Sequence, residues 1–444
     1  MYDSSLRGKN GIRRVQVDAN GRPIPNDRLE NVRPIAGQRL RLSLDLGLEK
    51  VGQDAMAGPL NPGGNPGAFV ALDPRNGEVL AMGSHPTFDA SIFTKPLTDA
   101  RFKALIGEDG GPAPLTNRAI SGAYPSASTF KPVTALAALS KGLIAPETTI
   151  QDGGCTQVAE IERCNAKDQA YGSVDLARAL QVSSDVYFYK LGLSTCFHGG
   201  NLVQSWARKL GMDRPTGIDL PGEFAGVIPD QKWRDEINAA ELACRKKKKI
   251  KTTNVFQAAV LGCGFSDLRD YSEGDNASLA TGQGDVQATP LQMAVVYAAL
   301  ANGGKVVRPH LGLEIERPNG ELVQRIERDP ARKVKIDPVH LSAVNAGLKL
   351  AASTQEGTSG DVFAGWDHER YPVYGKTGTA ERKPKEDQSW YVAWVPDPKR
   401  PIVVAVTDEE GGFGAAVAAP IACRLLARWY RQEGTCNAGT SVTN

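Results

Sequence analysis

Strand-like segments lie near both ends of the chain, and their placement limits the folds that it can form. Two short apolar runs, 69–72 and 78–82, flank the turn sequence Asp73-Pro74-Arg75-Asn76-Gly77 and predict a β-hairpin. Three more strand-like runs occur late in the chain, and because short polar turns connect them, neighbouring strands should be antiparallel. These late runs cover residues 373–380, 390–395 and 402–406.

The residues between the two groups of strands, about 117–310, are predicted to be mostly helical. One helix is marked by Thr289-Pro290 at its start and by Asn302-Gly303-Gly304 at its end, both typical boundary sequences. An alanine-rich stretch at about 415–431 predicts a closing helix. We therefore expect an α/β (α+β) fold with one five-stranded, mainly antiparallel sheet flanked by helices. A large helical lobe would be inserted between the early and late strands.

The composition is that of a globular protein with a sizeable core. Of 444 residues 41% are apolar, and the formal net charge of +2 gives no argument for a nucleic-acid partner. No window approaches 18 consecutive apolar residues, and no signal peptide is recognised, so no transmembrane helix is predicted. The one basic run covers residues 245–251. Such runs are mostly solvated loops, and the alternative is contact with an anionic membrane surface or polymer.

A possible nucleophile and its base occur together at the start of a predicted helix. Ser128 and Lys131 are three residues apart, which on a helix places both side chains on one face. Pro132 is tolerated in a first turn but not in a helix interior, so the helix should begin near Ser128. Lys131 could accept the serine proton if burial or a neighbouring cation lowered its pKa. This spacing also arises by chance in many proteins.

Two further motifs could complete such a site. Ser183-Ser184-Asp185 is predicted to lie in a tight turn between two helices, and Lys376-Thr377-Gly378-Thr379 lies on the first late strand. Ser183 could relay a proton, and the Lys376 cation could help to keep Lys131 neutral. Gly378 would let a substrate lie against the strand edge. Each motif alone is common, whereas the three in this order indicate serine acyl transfer.

The cysteines do not have the spacing of a metal site. Seven of them are scattered along the chain, and the sequence has only five histidines, so we expect no bound metal. Cys155 and Cys164 are nine residues apart. They could form a disulfide that cross-links a hairpin, or they could remain as two reduced thiols.

The three motifs resemble those of the serine penicillin-recognising enzymes, and the chain is most similar to class B penicillin-binding proteins of the penicillin-binding protein 2 type. The similarity runs from about residue 37 to 431 and includes the segments 115–119, 217–221, 280–285, 288–292 and 410–414. The resemblance implies a penicillin-binding transpeptidase domain at 37–433. It also implies a remnant of a membrane-proximal pedestal at 1–36 and a C-terminal tail at 434–444, as expected of a soluble, truncated form.

The resemblance assigns roles to residues of the three motifs. Ser128 would be the acylated nucleophile and Lys131 its general base, with Ser183 and Asp185 completing the proton network. The backbone N–H groups of Ser128 and Thr379 would form the oxyanion hole. The substrate's terminal carboxylate would be held by Lys376 and Thr377, beside Gly378 and Thr379.

The implied reaction is attack on the D-Ala-D-Ala bond of a peptidoglycan stem peptide, followed by acyl transfer to an amine on a neighbouring strand. β-Lactams would acylate the same serine, and no cofactor is needed. The alternatives are a D,D-carboxypeptidase or serine β-lactamase, which transfer the acyl group to water, and a non-hydrolytic β-lactam sensor or silent scaffold.

The sequence departs from the family pattern at two places. Ser126-Ala127 stands where relatives usually have Pro-Gly, so we expect a shifted turn before the nucleophile. Asp185 stands where many relatives have asparagine, and a carboxylate there would raise the pKa of Lys131.

The resemblance also implies a location and partners. The expected place is the extracytoplasmic face of the bacterial cell membrane, which favours the Cys155–Cys164 disulfide over free thiols. The expected partners are a SEDS-family glycosyltransferase and the elongation complex. Attachment to the membrane would use an N-terminal helix that this chain lacks.

Overall fold

A five-stranded antiparallel sheet lies at the centre of the computed structural model, which describes residues 1–24 and 30–441. Its strands are β1 (Gly67–Leu72), β2 (Val79–His85), β3 (Tyr374–Ala380), β4 (Gln388–Val395) and β5 (Ile402–Asp408). Their spatial order is β3-β4-β5-β1-β2, and each neighbouring pair is antiparallel. The predicted single sheet, made by both ends of the chain, is confirmed. Strand β3 lies at one edge of this sheet.

Helices cover both faces of the sheet. Those used below are α1 (Leu46–Ala57), α2 (Lys131–Lys141), α3 (Leu176–Val182), α4 (Asp185–Gly199), α5 (Gln231–Lys248), α6 (Glu273–Ala280), α7 (Pro290–Ala301), α8 (Pro338–Ser353) and α9 (Ala418–Tyr430). Every residue of β1, β4 and β5 is buried. Successive side chains of a strand point to opposite faces, so each strand contributes to two cores.

Strand β4 shows this division clearly. Trp390 and Val392 pack into the core that contains α2 and α7, on the side of the helical lobe. Tyr391 and Ala393 pack into the second core, against α1 and α9. Because both faces are covered, a substrate can approach the sheet only at an edge or between the covering helices.

Short elements complete the described chain. Paired strands are Gln16–Val17 with Pro23–Ile24, Ile150–Asp152 with Gly172–Val174, Cys155–Val158 with Ile161–Cys164, and Lys305–Val306 with Arg332–Lys333. A three-stranded sheet joins Arg39–Leu42, Gly312–Glu316 and Leu322–Arg325. Further α-helices are Asp3–Leu6, Asp99–Ile106, Arg118–Ser121, Leu202–Lys209 and Val255–Val260, and 3₁₀ helices are Ala90–Thr94, Ala127–Phe130 and Ala166–Asp168. None of the helices in the described ranges is both long and apolar enough to cross a bilayer.

The basic run at 245–251 was predicted to be a solvated loop, and this was wrong in part. Its first four residues form the last turn of α5, and the helix ends at Lys248. Cations at a helix C-terminus interact favourably with the helix dipole, which explains why the run can be helical. Arg245 is buried, whereas the lysines that follow it are exposed.

Three disulfides are present among the described residues. Cys155–Cys164 closes a short hairpin, as the resemblance had suggested. Two others, Cys244–Cys263 and Cys423–Cys436, had no signal in the sequence. Cys196 on α4 is a free, half-buried cysteine.

We predict that the Cys423–Cys436 disulfide stabilises the fold. It closes a 13-residue separation, and removing such a cross-link costs about 3 kcal/mol of unfolding free energy because the unfolded chain gains conformational entropy. The double variant Cys423→Ala/Cys436→Ala should show this loss in denaturant unfolding. Cys196→Ala is the matched control and should change stability much less. Equal effects of the two changes would contradict the prediction.

Candidate active site

The Ser128 motif lies at the start of α2, beneath the edge strand of the sheet. Ala127–Phe130 form a 3₁₀ turn, and the α-helix begins at Lys131. Pro132 is therefore in the first turn of the helix, where its missing N–H costs nothing. The helical segment thus begins one residue before Ser128, close to the predicted position. Ser128 is 3% exposed and Lys131 is fully buried.

The turn before Ser128 is made without glycine. Ala127 itself adopts the left-handed conformation, with φ of +49°, and its N–H donates to the Gly282 carbonyl oxygen at 2.8 Å. A left-handed residue other than glycine costs roughly 1–2 kcal/mol. A Cβ atom at Gly282 would lie 2.1 Å from the Ala127 carbonyl oxygen, so this contact requires glycine at residue 282. The turn is therefore fixed by the loop after α6.

The second motif lies in a tight turn between α3 and α4, as predicted. Ser183 follows the last residue of α3 in the left-handed conformation (φ +60°), and Asp185 is the first residue of α4. Ser184 caps α4 by accepting the N–H of Tyr187 at 3.0 Å. This sharp reversal points the Ser183 side chain at the two lysines of the other motifs.

A single hydroxyl group contacts both lysines. Lys131 Nζ lies 3.0 Å from Ser183 Oγ, 2.8 Å from the Ser183 carbonyl oxygen and 2.8 Å from Asp185 Oδ1. Lys376 Nζ lies 2.7 Å from the same Ser183 Oγ and 3.1 Å from the Thr377 carbonyl oxygen. The three motifs that are far apart in sequence therefore meet at one atom.

Burial lowers the pKa of both lysines. At Lys131 burial is the main cause, and the Asp185 carboxylate raises the pKa without cancelling the effect of burial. At Lys376 burial and repulsion from Lys131 hold the pKa well below its ordinary value, with Asp185 acting in the opposite direction. Burial is therefore the main cause that lowers the pKa of Lys131, and the contribution expected from a Lys376 cation stays a prediction.

The third motif presents backbone groups at the open edge of the sheet. Gln283 Nε2 donates to the Thr379 carbonyl oxygen at 3.0 Å, so this carbonyl points away from β4. The N–H and C=O of one residue point to the same side of an antiparallel strand, so the Thr379 N–H faces the open edge as well. Thr377 is two residues earlier and has the same orientation. Its Oγ1 donates to Thr358 Oγ1 at 2.8 Å.

The reason predicted for Gly378 needs correction. A Cβ atom there would not face a substrate. It would lie 3.1 Å from the Cβ atoms of Ala127 and Trp390 and 3.2 Å from Thr129 Cγ2. Glycine at this position instead lets strand β3 pack closely on the Ser128 turn, which sets the distance between the nucleophile and the strand edge.

A network of buried polar groups that the sequence did not reveal supports the Ser183 turn. Asn165 Oδ1 accepts the N–H groups of Asp185 at 2.7 Å and Val186 at 3.0 Å. Its Nδ2 donates to both Asp152 carboxylate oxygens, at 2.8 and 2.9 Å, and Ser184 Oγ donates to the same carboxylate. Asn165 and Asp152 are separated by 13 residues with no recognisable motif, so only the fold shows their relation to the site.

The Cys155–Cys164 disulfide lies next to Asn165 and so helps to fix the Ser183 turn. Cys164 directly precedes Asn165 and pairs with Cys155 across the short hairpin. Among the described residues, the one group of possible metal ligands is Cys155, Cys164 and Asp168. Because the two cysteines are joined in a disulfide, they cannot bind a metal as thiolates.

The fold and the arrangement of the three motifs define a serine penicillin-recognising protein. A family model, the penicillin-binding protein transpeptidase domain, matches residues 67–427. The chain therefore belongs to the penicillin-binding protein transpeptidase family, in its class B branch of the penicillin-binding protein 2 type.

Individual relatives have similar sequences over most of the chain. Peptidoglycan D,D-transpeptidase MrdA of Haemophilus influenzae is 31% identical over 453 residues, which cover 97% of this chain and 62% of that protein. The chain thus spans less than two thirds of the length of this relative.

Solved structures agree with this assignment. Pseudomonas aeruginosa PBP2 in complex with WCK 5153 is 30% identical, with a TM-score of 0.74 over 91% of this chain and 78% of that one. A structure of a peptidoglycan synthase complex that coordinates polymerization and crosslinking contains a chain that is 30% identical. It matches with a TM-score of 0.77 over 98% of this chain and 70% of that one.

We predict that Asn165 positions the Ser183 turn. Asn165→Ala would leave two buried N–H groups and the Asp152 carboxylate without this partner, at a cost of about 2–3 kcal/mol. Displacement of the turn should slow acylation by labelled penicillin about 10- to 100-fold. Both quantities can be measured on one preparation, by chemical unfolding and by the time course of labelling.

The control for this prediction is Asn302→Ala. The Asn302 side chain makes three hydrogen bonds, to Pro74 and Lys305, away from the three motifs. The Asn302→Ala variant should have a lower free energy of unfolding, and its rate of acylation should be unchanged. Similar slowing in both variants would show that lost stability, rather than the position of the turn, controls the rate.

Proposed function

We propose that the chain is a peptidoglycan D,D-transpeptidase of cell-wall elongation that acts through a serine acyl-enzyme and is inhibited by β-lactams. The observation that carries this proposal is the Ser183 hydroxyl held between the Lys131 and Lys376 amines, beside the Ser128 turn and below the open edge of β3. This arrangement supplies a base, a proton relay and backbone donors to one reacting centre.

In the acylation step, Ser128 Oγ attacks the carbonyl carbon of the D-Ala-D-Ala bond and its proton passes to Lys131. The N–H groups of Ser128 and Thr379 stabilise the negative charge that develops on the carbonyl oxygen. Ser183 Oγ, in contact with Lys131, passes a proton to the leaving amine of the terminal D-alanine. The same path in reverse removes a proton from the acceptor amine in the second step.

The substrate's terminal carboxylate would bind at Lys376 and Thr377. In the free protein, burial and Lys131 favour the neutral form of Lys376. An arriving carboxylate favours the protonated form, so binding and proton uptake by Lys376 would be coupled. Substrate binding would thereby place a cation next to Lys131 and favour its neutral, basic form at the time of reaction.

The proton path through Lys131 and Ser183 can activate either an acceptor amine or a water molecule, so the choice between transfer and hydrolysis rests on the relatives. The name of the H. influenzae relative, a peptidoglycan D,D-transpeptidase, supports transfer to an amine.

The remaining proposals concern the whole protein. We place the transpeptidase domain at residues 37–433, after a pedestal remnant at 1–36 and before a tail at 434–444. The protein would act at the extracytoplasmic face of the bacterial membrane with a SEDS-family glycosyltransferase. The likeness to a chain of a peptidoglycan synthase complex supports a glycosyltransferase partner.

The nucleophile can be identified by labelled penicillin. We expect one slowly clearing adduct per chain, on Ser128, and its complete loss in Ser128→Ala. Ser126→Ala is the matched control, since Ser126 is a fully buried serine of the same turn and should keep normal labelling. Rapid clearing of the label would indicate a β-lactamase, and the absence of label from the unmodified chain would indicate a silent scaffold.

Transfer can be separated from hydrolysis with a D-Ala-D-Ala peptide and an acceptor amine. A transpeptidase should release D-alanine and form the cross-linked product. Release of D-alanine at the same rate without cross-linked product would indicate a carboxypeptidase, and stable labelling without turnover of either peptide would indicate a sensor.

We predict that acylation depends on pH through Lys131. The reaction needs the neutral amine, so the rate should rise with pH through the pKa of Lys131. Because burial lowers this pKa, the rise should be complete below the ordinary lysine value of 10.5. Asp185→Asn removes the carboxylate that raises the pKa, so the midpoint should move to lower pH.

The measurement is the rate of penicillin labelling from acid to mildly alkaline pH. Asp54→Asn, at an exposed aspartate on α1, is the control and should leave the midpoint unchanged. A midpoint that stays in place or moves upward in Asp185→Asn would remove Lys131 as the titrating base.

A further inference from the structure

A disulfide-linked arm projects from the helical lobe, and the proposed chemistry does not use it. We define the arm as residues 242–265, which comprise the end of α5, the helix Val255–Val260 and the loops around that helix. Cys244–Cys263 joins its two sides. Arg245 Nη1 donates to the Thr252 carbonyl oxygen at 2.8 Å, and the N–H of Phe265 donates to Glu241 Oε2 at 2.8 Å. The disulfide and these two hydrogen bonds therefore fix the conformation of the arm.

The arm exposes large apolar side chains. They are Leu242, Phe256, Val260, Leu261 and Phe265, with exposed fractions of 57, 80, 88, 54 and 60%. Phe256 and Val260 are four residues apart on one helix, so they lie on the same face. In that helix only Ala258 is buried. An apolar cluster of this kind, presented on a cross-linked scaffold, is typical of an interaction surface.

The arm also carries concentrated positive charge. Residues 242–265 contain six lysines and arginines and no aspartate or glutamate. Arg245 turns inward to the buried carboxylate of Glu241, so it is neutralised. The five lysines are exposed, four of them in the run 246–249 and the fifth at Lys251. The surface around the apolar cluster is therefore cationic, although the whole chain is nearly neutral.

We propose that the arm binds the surface of an anionic lipid bilayer. Exposed aromatic and aliphatic side chains beside lysines are the composition of segments that lie in the membrane interface. The apolar side chains would enter the boundary of the acyl chains, while the lysines contact lipid phosphates. A protein partner is less favoured, because lysine is depleted in the cores of protein–protein interfaces. The proposal does not depend on the catalytic activity.

The test is co-sedimentation of the full chain with lipid vesicles. Vesicles that contain phosphatidylglycerol in phosphatidylcholine should bind the protein, and vesicles of phosphatidylcholine alone should bind it at least about tenfold more weakly. Binding to the anionic vesicles should weaken as salt is added, because salt screens the attraction between lysines and phosphates.

Two variants separate the apolar and the cationic contributions. Phe256→Ser/Val260→Ser and Lys246→Gln/Lys247→Gln/Lys249→Gln should each weaken binding at least about tenfold. The control is Phe102→Ser/Lys103→Gln, which removes an exposed phenylalanine and a neighbouring lysine from the short helix Asp99–Ile106. All three proteins should keep the thermal unfolding midpoint of the unmodified chain, which shows that they are folded.

Several outcomes would overturn the proposal. These are no binding to anionic vesicles, equal binding to both kinds of vesicle, and arm variants that bind as well as the control. Self-association of the chain without vesicles, lost in Phe256→Ser/Val260→Ser, would assign the arm to a second copy of this protein instead. Each of these results can be obtained whether or not the chain proves to be a transpeptidase.

Discussion

Two lysine amines are buried around one serine hydroxyl, and the rest of the site depends on how the protein tolerates them. A buried cation is costly unless it is paired and hydrogen-bonded, and two of them side by side are more so. Here Lys131 keeps a carboxylate and a carbonyl as partners, while Lys376 has a pKa far below its ordinary value. Burial thus lowers the pKa of both amines. Reactivity depends on the neutral form of Lys131, because a neutral amine in a dry site is an available base.

Such an arrangement is possible only if the surrounding backbone is fixed. The Ser128 turn is held by a left-handed alanine against Gly282, and Gly378 lets β3 approach it closely. The Ser183 turn is held by Asn165, next to a disulfide. Strand β3 remains unpaired on one side, which is usually a liability in a sheet. In this protein the exposed edge is where a peptide substrate could add its own backbone hydrogen bonds.

The site and the arm show two uses of lysine in one chain. Lys131 and Lys376 are fully buried, and burial changes their protonation. The lysines of the arm are exposed and act through their combined charge. Neither behaviour can be inferred from the residue type, because the same side chain is a base in a dry environment and an electrostatic anchor in water.

The sequence by itself determined the sheet, the helical lobe and the three catalytic motifs, because strand periodicity, turn residues and short motifs are local signals. It also placed Ser183 in a turn between two helices. It could not supply the contacts of Asn165 and Asp152, the pairing of Cys244 with Cys263, or the left-handed state of Ala127, since these depend on residues distant in the chain. It offered burial or a neighbouring cation as the cause that could lower the pKa of Lys131. Only the tertiary structure determines how completely a side chain is removed from water, and burial proves to be the main cause.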